Sequence, residues 1–223
     1  MFDANPYRVE LRQRIDVIRR LLDVSHPSLA PVPALDIGRE VRGICVVLLF
    51  ASYENLLTTL CRGLLEAAVR LRVGNRRFRH GLKLFAVFGE LQAIANSKET
   101  QIWKAHGLRM VERLDQSRGC SINVDLFPKD GSFMKSSQVS LFCKLFSLGD
   151  PGPVLKEVWS KLDGVVAQRN SIAHGAATPE VVGRAYSIGD LRALVNSWES
   201  RWLEFLAHVE VRAGTREFYR FRR

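Results

Sequence analysis

Ile44-Cys45-Val46-Val47-Leu48-Leu49-Phe50-Ala51-Ser52-Tyr53 is apolar on every side when it is drawn as a helix. A helix that lacks a polar face is usually buried in a bundle or in an oligomer interface. This stretch lies within residues 36–73, the longest helical segment that the sequence predicts. Its uninterrupted apolar run, residues 44–51, is far shorter than the roughly 20 residues that span a bilayer. We therefore expect a buried core helix and no membrane partner.

The rest of the chain also has helical periodicity. Residues 26–33 carry three prolines and are predicted to be a linker. Residues 119–132 form the one irregular stretch, with a turn at Asp130-Gly131. The predicted fold class is therefore all-α. The other predicted helices cover residues 6–23, 76–96, 100–116, 136–148, 154–174 and 187–212.

Composition indicates the kind of partner and argues against a metal site. The chain has 33 Lys and Arg residues against 23 Asp and Glu residues, a net charge of +10. This excess favours a polyanionic partner, although a merely solvated surface has the same composition. The four cysteines, at positions 45, 61, 120 and 143, lack metal-ligand spacing, and we expect Cys45 and Cys61 to be buried thiols. No cofactor or metal is predicted. A reducing cytoplasm fits this pattern, and no signal peptide is evident.

The stretch Arg169-Asn170-Ser171-Ile172-Ala173-His174-Gly175 contains candidate catalytic groups. An arginine can bind a phosphate through two parallel hydrogen bonds, and a histidine can move a proton near neutral pH. The asparagine can orient either group, and Gly175 is predicted to end the helix. Together these are the groups that phosphodiester cleavage without a metal needs.

Arginine–histidine spacing alone carries little information. Comparable pairs occur at Arg20 and His26 and at Arg201 and His208, and about one such pair is expected by chance in a chain of this length. Large apolar residues, leucine and tryptophan, follow the arginines of those two pairs. Only Arg169 is followed by a small polar residue, Asn170.

The motif resembles the arginine-x4–6-histidine signature of the HEPN superfamily of helical ribonucleases and nucleotide-binding domains. Residues 48–57 resemble the glutamate-bearing second helix of its RiboL-PSP-type subgroup, and residues 125–132 and 146–149 resemble connectors of that subgroup. The resemblance covers residues 44–206. Some HEPN toxins have a tyrosine two residues after the histidine. This chain has Ala176 there, so regulation by nucleotidylation of that tyrosine is not implied.

The resemblance implies a HEPN-like up-and-down helical bundle with additional helices and one irregular connector. The corresponding domain would be residues 36–212. An N-terminal helix and a proline-rich linker, residues 1–35, would precede it. A basic, aromatic tail, residues 213–223, would follow it.

Helix geometry limits what one motif can do alone. Asn170 and His174 are four residues apart and share a helix face, whereas Arg169 and His174 point about 140° apart. They could act together if the last turn opened, if the phosphate lay across the helix end, or if a second chain completed the site. Two motifs across a two-fold axis would supply an acid, a base and two guanidinium groups. We therefore predict a homodimer with the motif helices at the two-fold interface, as the resemblance also implies.

Several further residues are candidates for the site or for RNA binding. Glu54 interrupts an apolar run, and it could be exposed, paired with Arg169, or part of the site. A first basic cluster covers residues 70–83, and Phe78 within it could stack on a base or lie in the core. A second cluster, in the tail, combines arginines with Phe218, Tyr219 and Phe221. The RNA-binding candidates of the first cluster are Arg70, Arg72, Arg76, Arg77, Arg79 and Lys83, and the tail arginines are Arg216, Arg220, Arg222 and Arg223.

Three functions are compatible with the sequence. The first is a metal-independent HEPN-type endoribonuclease that cleaves RNA by 2′-hydroxyl attack. Such an enzyme would act as a cytoplasmic toxin or in defence, under an antitoxin or regulatory protein. The second is a non-catalytic HEPN module that binds RNA, a nucleotide or a partner protein. The third is a helical assembly protein whose apolar helix serves oligomerisation alone.

Overall fold

A computed structural model describes residues 2–26 and 37–222 of the chain. The described residues form helices, turns and one isolated β-bridge, and no strand occurs among them. The predicted all-α fold class is therefore confirmed. Apart from His26, the predicted linker at residues 26–33 lies outside the described residues.

The helices are, in chain order, α1 (Asn5–Ser25), α2 (Gly38–Arg70), α3 (His80–Ala86), α4 (Phe88–Ala95), α5 (Glu99–Gln101), α6 (Gly107–Asp115), α7 (Ser136–Leu145), α8 (Gly152–Ala173), α9 (Pro179–Arg184), α10 (Ile188–Ala213) and α11 (Arg216–Tyr219). A 3₁₀ turn, Asn75–Arg77, precedes α3, and a π-helical turn, Ile102–His106, joins α5 to α6.

Helix α2 is the centre of the core, as its apolar pattern predicts. It packs against α1, α8, α9 and α10. Tyr53 lies parallel to the Trp202 ring at 5.5 Å between centroids and edge-on to Trp198 at 5.6 Å. By length and composition α2 could also cross a membrane, but 56% of its most apolar stretch is buried inside this fold. Ile44, the first residue of the uninterrupted apolar run 44–51, is 43% exposed.

Helix α1 belongs to the same core. Its apolar stripe, which ends at Leu22, is buried with residues of α2 and α10. An ion pair of 2.6 Å joins Arg8 to Glu210, and another of 2.8 Å joins Asp23 to Arg192. Because these pairs lie at opposite ends of both helices, α1 and α10 run antiparallel.

The single helix predicted for residues 76–96 is wrong. Phe78 and Arg79 have extended backbone between the 3₁₀ turn and α3, and Val87, at φ −113°, separates α3 from α4. Phe78 is completely buried, and its backbone pairs with Arg220 in the isolated bridge. Burial of this side chain and the backbone pairing require extended rather than helical geometry here.

Helix α9 was not predicted, and it packs closely against α2. A Cβ atom added to Gly183 would lie 1.8 Å from the carbonyl oxygen of Arg39, and one added to Gly43 would lie 1.9 Å from that of Pro179. Neither contact is compatible with a side chain, so glycine at both positions permits the crossing. The Arg42 Nε atom also donates to the Gly183 carbonyl at 3.0 Å.

Candidate functional site

The motif helix α8 ends as a closed helix. The His174 amide still donates to the Asn170 carbonyl at 2.9 Å, and Gly175 follows with φ +72°. The Gly175 amide donates to Ile172 and the Ala176 amide to Ser171, at 3.1 and 2.8 Å. These two bonds form a Schellman motif. Gly175 is thus confirmed as the residue that ends the helix, and the last turn is not opened in this structure.

His174 occupies the carboxyl-terminal cap and is exposed. Its imidazole makes no hydrogen bond to any other residue within 2–26 and 37–222. His174 is therefore available to a substrate or to a second molecule.

Arg169 is held by an aromatic ring and an amide. Its guanidinium carbon lies 4.4 Å from the centroid of the Phe50 ring, and Nη1 donates to Asn170 Oδ1 at 2.9 Å. No carboxylate of the described residues lies within 4.0 Å of the guanidinium nitrogens. The side chain is half-buried, so its charge is oriented but not neutralised by an acid.

Glu54 does not pair with Arg169, so the pairing considered from the sequence is wrong. The guanidinium instead lies over Phe50, one helical turn before Glu54 on α2, and bonds to Asn170. Glu54 is half-buried and lines the same groove as Arg169. Its candidate role is therefore to shape that groove.

The groove has a volume of about 780 Å³ and lies between α2, α4 and the connector that follows α6. The Phe133 ring is 75% exposed at its rim, and Phe88 is 38% exposed. Positive backbone dihedrals at Phe133 and Met134, φ 52° and 71°, aim the Phe133 ring outward. The groove is lined by Phe50, Glu54, Thr58, Phe88, Gln92, residues 125–129, Gly131, Phe133, Met134, Gln138 and Arg169.

The connector on one side of the groove is fixed by buried hydrogen bonds. The Tyr53 hydroxyl donates to the Met134 carbonyl at 2.5 Å. Gln138 accepts from the Met134 amide at 2.8 Å and donates to the Pro128 carbonyl at 3.0 Å. Burial, followed by the nearby Glu54 charge, raises the pKa of Tyr53, so the phenol stays protonated and can donate. Hydrogen bonds from core residues therefore fix the position of this wall of the groove.

Sequence reasoning missed the aromatic residues of this site. Phe50 lies inside the apolar stretch, a pattern that predicts only a core residue, yet one face of its ring contacts Arg169. Phe88 and Phe133 had no distinguishing pattern. An aromatic residue one turn before a lone glutamate was the one available signal.

The two other arginine–histidine pairs have structural roles. His26 lies 2.9 Å from Ser25 Oγ and 3.0 Å from an Arg42 nitrogen, and burial, reinforced by Arg42, lowers its pKa. His208 Nε2 lies 2.7 Å from the Leu148 carbonyl oxygen. Neither histidine is free as His174 is, so the structure separates the motif from pairs with similar spacing.

Arg169 and His174 do not converge within one chain. Arg169 lines the groove, whereas His174 is not among the lining residues. The helix between them is regular up to the cap. One chain therefore presents an oriented arginine and a separate exposed histidine.

The residues of the first basic cluster have different environments in the structure. Arg70 pairs with Glu66 at 3.2 Å on the last turn of α2. Phe78 is fully buried, so the suggestion that it stacks on a base is wrong. Arg79 lies 4.6 Å from the Phe221 ring centroid and joins the tail. The remaining members are Arg72 and Arg76, both exposed, and Arg77 and Lys83, both half-buried.

The cysteines and acids offer no grouped metal ligands. Within the described part of the chain there is no cluster of three or more His, Cys, Asp or Glu residues placed to hold a metal ion. Cys45 and Cys61 are buried thiols, as predicted. Burial raises the pKa of each to about 12.

Comparisons with known proteins returned no match to any family model, curated protein or solved structure.

Proposed function

We propose that the protein is a metal-independent endoribonuclease of the HEPN type, with a HEPN-like up-and-down bundle over residues 36–212. One observation carries the proposal. A half-buried arginine, Arg169, has no carboxylate partner among the described residues and is aimed by Phe50 and Asn170 at a groove. It lies five residues before an exposed histidine at a helix carboxyl terminus.

The environment of Arg169 suits a phosphate. A guanidinium stacked on an aromatic face keeps its charge and its planar geometry, while its edge remains able to donate to an anion. Asn170 uses one nitrogen, Nη1. The other donors would stabilise the negative charge that develops on phosphorus in the transition state.

His174 would transfer the protons. A base takes the proton of the 2′-hydroxyl as its oxygen attacks phosphorus, and an acid gives a proton to the departing 5′-oxygen. The products are a 2′,3′-cyclic phosphate and a 5′-hydroxyl end. One neutral and one protonated imidazole are needed at the same time, which one chain of this motif does not supply.

A homodimer with its motif helices at the two-fold interface would complete the site. It would bring two exposed histidines and two oriented arginines to one phosphate. Asn170, on the same helix face as His174, would position the substrate or the partner's imidazole. The separation of Arg169 from His174 in one chain supports this arrangement.

Cleavage of RNA by purified protein in EDTA tests the activity. Wild type should generate 2′,3′-cyclic phosphate ends, and His174→Ala should lose about 10²- to 10⁴-fold in rate. His106→Gln, a half-buried histidine outside the groove, is the matched control and should cut normally. Absence of cutting by wild type, or full activity of His174→Ala, contradicts the proposal.

The dimer is tested separately. Below the dimer dissociation constant, activity per chain should rise with protein concentration, because only paired chains hold a complete site. Sedimentation at the same concentrations should show the matching change in mass. Constant activity per chain across the monomer–dimer transition would show that one chain is sufficient.

A second candidate, a HEPN module that binds RNA without cutting it, is favoured by one observation. The His174 imidazole has no orienting partner among the described residues, whereas an acid–base histidine is normally held by a hydrogen bond. Such a module would bind RNA with strong salt dependence and would be unaffected by His174→Ala.

We further propose that the endoribonuclease acts in the cytoplasm as a toxin or in defence, and that an antitoxin or regulatory protein holds it inactive. The uncontrolled enzyme would stop growth. Expression of wild type should then arrest cells while His174→Ala should not. Equal growth of the two strains at equal protein levels contradicts this role.

A further inference from the structure

Two basic segments that are far apart in sequence form one surface. The Phe221 amide donates to the Arg77 carbonyl at 3.0 Å, and the Arg79 amide donates to the Tyr219 carbonyl at 2.9 Å. These bonds flank the antiparallel bridge between Phe78 and Arg220. The 3₁₀ turn before α3 and the segment beginning at α11 are therefore held side by side.

Buried anchors under this surface make it rigid. Phe78 is completely buried, and Tyr219 is 4% exposed. Asn75, also completely buried, donates to the Arg113 carbonyl and to Ser121 Oγ, both at 2.9 Å. The backbone that presents the basic side chains is thus fixed from below.

Arginines dominate the solvent side. One acid, Glu217, accompanies them and pairs with Arg222. Arg79 is held by its Nε bond to the Glu217 carbonyl, at 3.0 Å, and by the Phe221 ring. The six residues that we call the arginine surface are Arg76, Arg77, Arg79, Arg216, Arg220 and Arg222.

The arginine surface encloses a depression of about 440 Å³, lined by Arg77, Arg216, Glu217, Arg220, Phe221 and Arg222. Arg76 and Arg216 are exposed, and in the described part of the chain their side chains make no hydrogen bond or ion pair. Several guanidinium groups around one shallow depression, with a single acid, form a site for consecutive phosphates.

We propose that the arginine surface binds the phosphate backbone of an RNA strand at a distance from the groove at Arg169. RNA as the ligand rests on the proposed function. The surface follows the carboxyl end of α2, and Arg70 at that end lies about 24 Å along the helix from Glu54. It serves as a second contact that holds long RNA.

Binding there is independent of base sequence. The Phe221 ring is covered by Arg79 on its face, and His80 meets it at 5.3 Å between centroids. The ring is therefore engaged in fixing an arginine, and we assign it no base contact. Affinity then comes from phosphates, so it falls steeply with salt.

The test measures binding and cleavage separately. Arg76→Gln and Arg216→Gln, one from each segment, are combined in a double variant. Arg20→Gln, which removes one positive charge, is the control for an exposed arginine outside the arginine surface. Arg20 lies near the carboxyl end of α1, where its neighbour Arg19 contacts Asn196 and Glu199 of α10. Asn196 lies about 25 Å along α10 from Ala213.

Binding of a fluorescent RNA of about 30 nucleotides is followed by anisotropy in the His174→Ala background, where no cutting interferes. The double variant should bind about tenfold more weakly at about 0.1 M salt, and its log–log salt slope should fall by about 1.4, since each phosphate contact contributes about 0.7. The control should match His174→Ala alone. Equal affinities of the double variant and the control overturn the proposal.

Cleavage assays distinguish a failure of this inference from a failure of the proposed function. With an active His174, the double variant should raise KM for the long RNA while leaving kcat, and it should not affect an RNA of about six nucleotides. If the protein binds RNA through the arginine surface but never cuts it, the proposed nuclease activity is contradicted while this inference stands. If the double variant keeps its affinity for RNA but loses its affinity for poly-glutamate, the surface binds an acidic polypeptide and the RNA proposal is wrong.

Discussion

The guanidinium of Arg169 rests on the ring of Phe50, with 4.4 Å between its central carbon and the ring centroid. The contact joins the motif helix to the central apolar helix without any carboxylate. A carboxylate would neutralise the arginine and compete with a phosphate for its donors. The ring orients the same group and leaves its charge available.

Replacing Phe50 by leucine should impair cleavage more than stability. The substitution keeps an apolar side chain but removes the π face, worth about 1–2 kcal/mol to the arginine. We expect kcat/KM for RNA to fall about tenfold. Phe146→Leu, at an equally buried aromatic position, is the control. Equal activity of the two variants, after correction for the folded fraction, contradicts a role for the ring in aiming Arg169.

Two glycines on long helices should respond to alanine in opposite directions. Gly43→Ala places a methyl group 1.9 Å from the Pro179 carbonyl oxygen, so we expect a loss of about 2–3 kcal/mol in unfolding free energy. Gly164→Ala, on α8, meets no atom within 4 Å and should gain about 0.5–1 kcal/mol. Urea denaturation measures both. A stable Gly43→Ala variant would show that α9 is not packed tightly on α2.

Removing the Tyr53 hydroxyl should loosen the connector at the groove. Tyr53→Phe leaves the buried Met134 carbonyl without its donor, at a cost of about 1–2 kcal/mol. Proteolysis should then cut within residues 125–134 faster than in wild type. Tyr186→Phe, which loses a bond to Gln168 away from the connector, should not increase cutting there.

Alkaline pH should destabilise the fold through its buried thiols. Burial raises the pKa of Cys45, Cys61 and Cys143 from 9.0 to about 12. Between these values the unfolded chain has lost protons that the folded chain retains, so stability falls as pH rises. Urea titrations at pH 8 and 10 should show this fall. A variant in which these three cysteines are replaced by alanine should lose less stability between pH 8 and pH 10. If it loses as much as wild type, groups other than these thiols cause the loss.

The same burial should protect three of the four thiols from a thiol reagent. Cys120 is half-buried, whereas Cys45, Cys61 and Cys143 are buried. At pH 8 one thiol per chain should react quickly and the rest only on unfolding. The Cys120→Ser variant should lose the fast phase. A fast phase of more than one thiol would contradict the packing around the long helices.

The elements predicted correctly are those with a strong local signal. The apolar stretch 44–53 predicted the buried α2, and Gly175 predicted the end of α8. Helix α9 was missed because six residues cannot show a helical period, and its place depends on contact with Gly43. The break at Phe78 was missed because its cause, the pairing with Arg220, lies at the far end of the chain.

For the candidate site, the sequence indicates residue types, but it does not predict the contacts that these residues make. From the sequence, Glu54 could be exposed, part of the site, or paired with Arg169. In the structure the Arg169 guanidinium is held by Phe50 and Asn170 instead, since a half-buried guanidinium can be held by a ring without removing a carboxylate from water. No pattern in the sequence predicts that Phe133 is exposed, because its exposure follows from the positive φ values of Phe133 and Met134.

The bridge between Phe78 and Arg220 also orders events during synthesis. Translation delivers the chain from its amino end, so α2 and the 3₁₀ turn emerge from the ribosome long before Arg220, the bridge partner of Phe78, has been made. The backbone of Phe78 cannot complete this pairing until Arg220 has left the exit tunnel. The arginine surface therefore assembles only after α8 and α10, which lie between its two segments in the sequence, have been made.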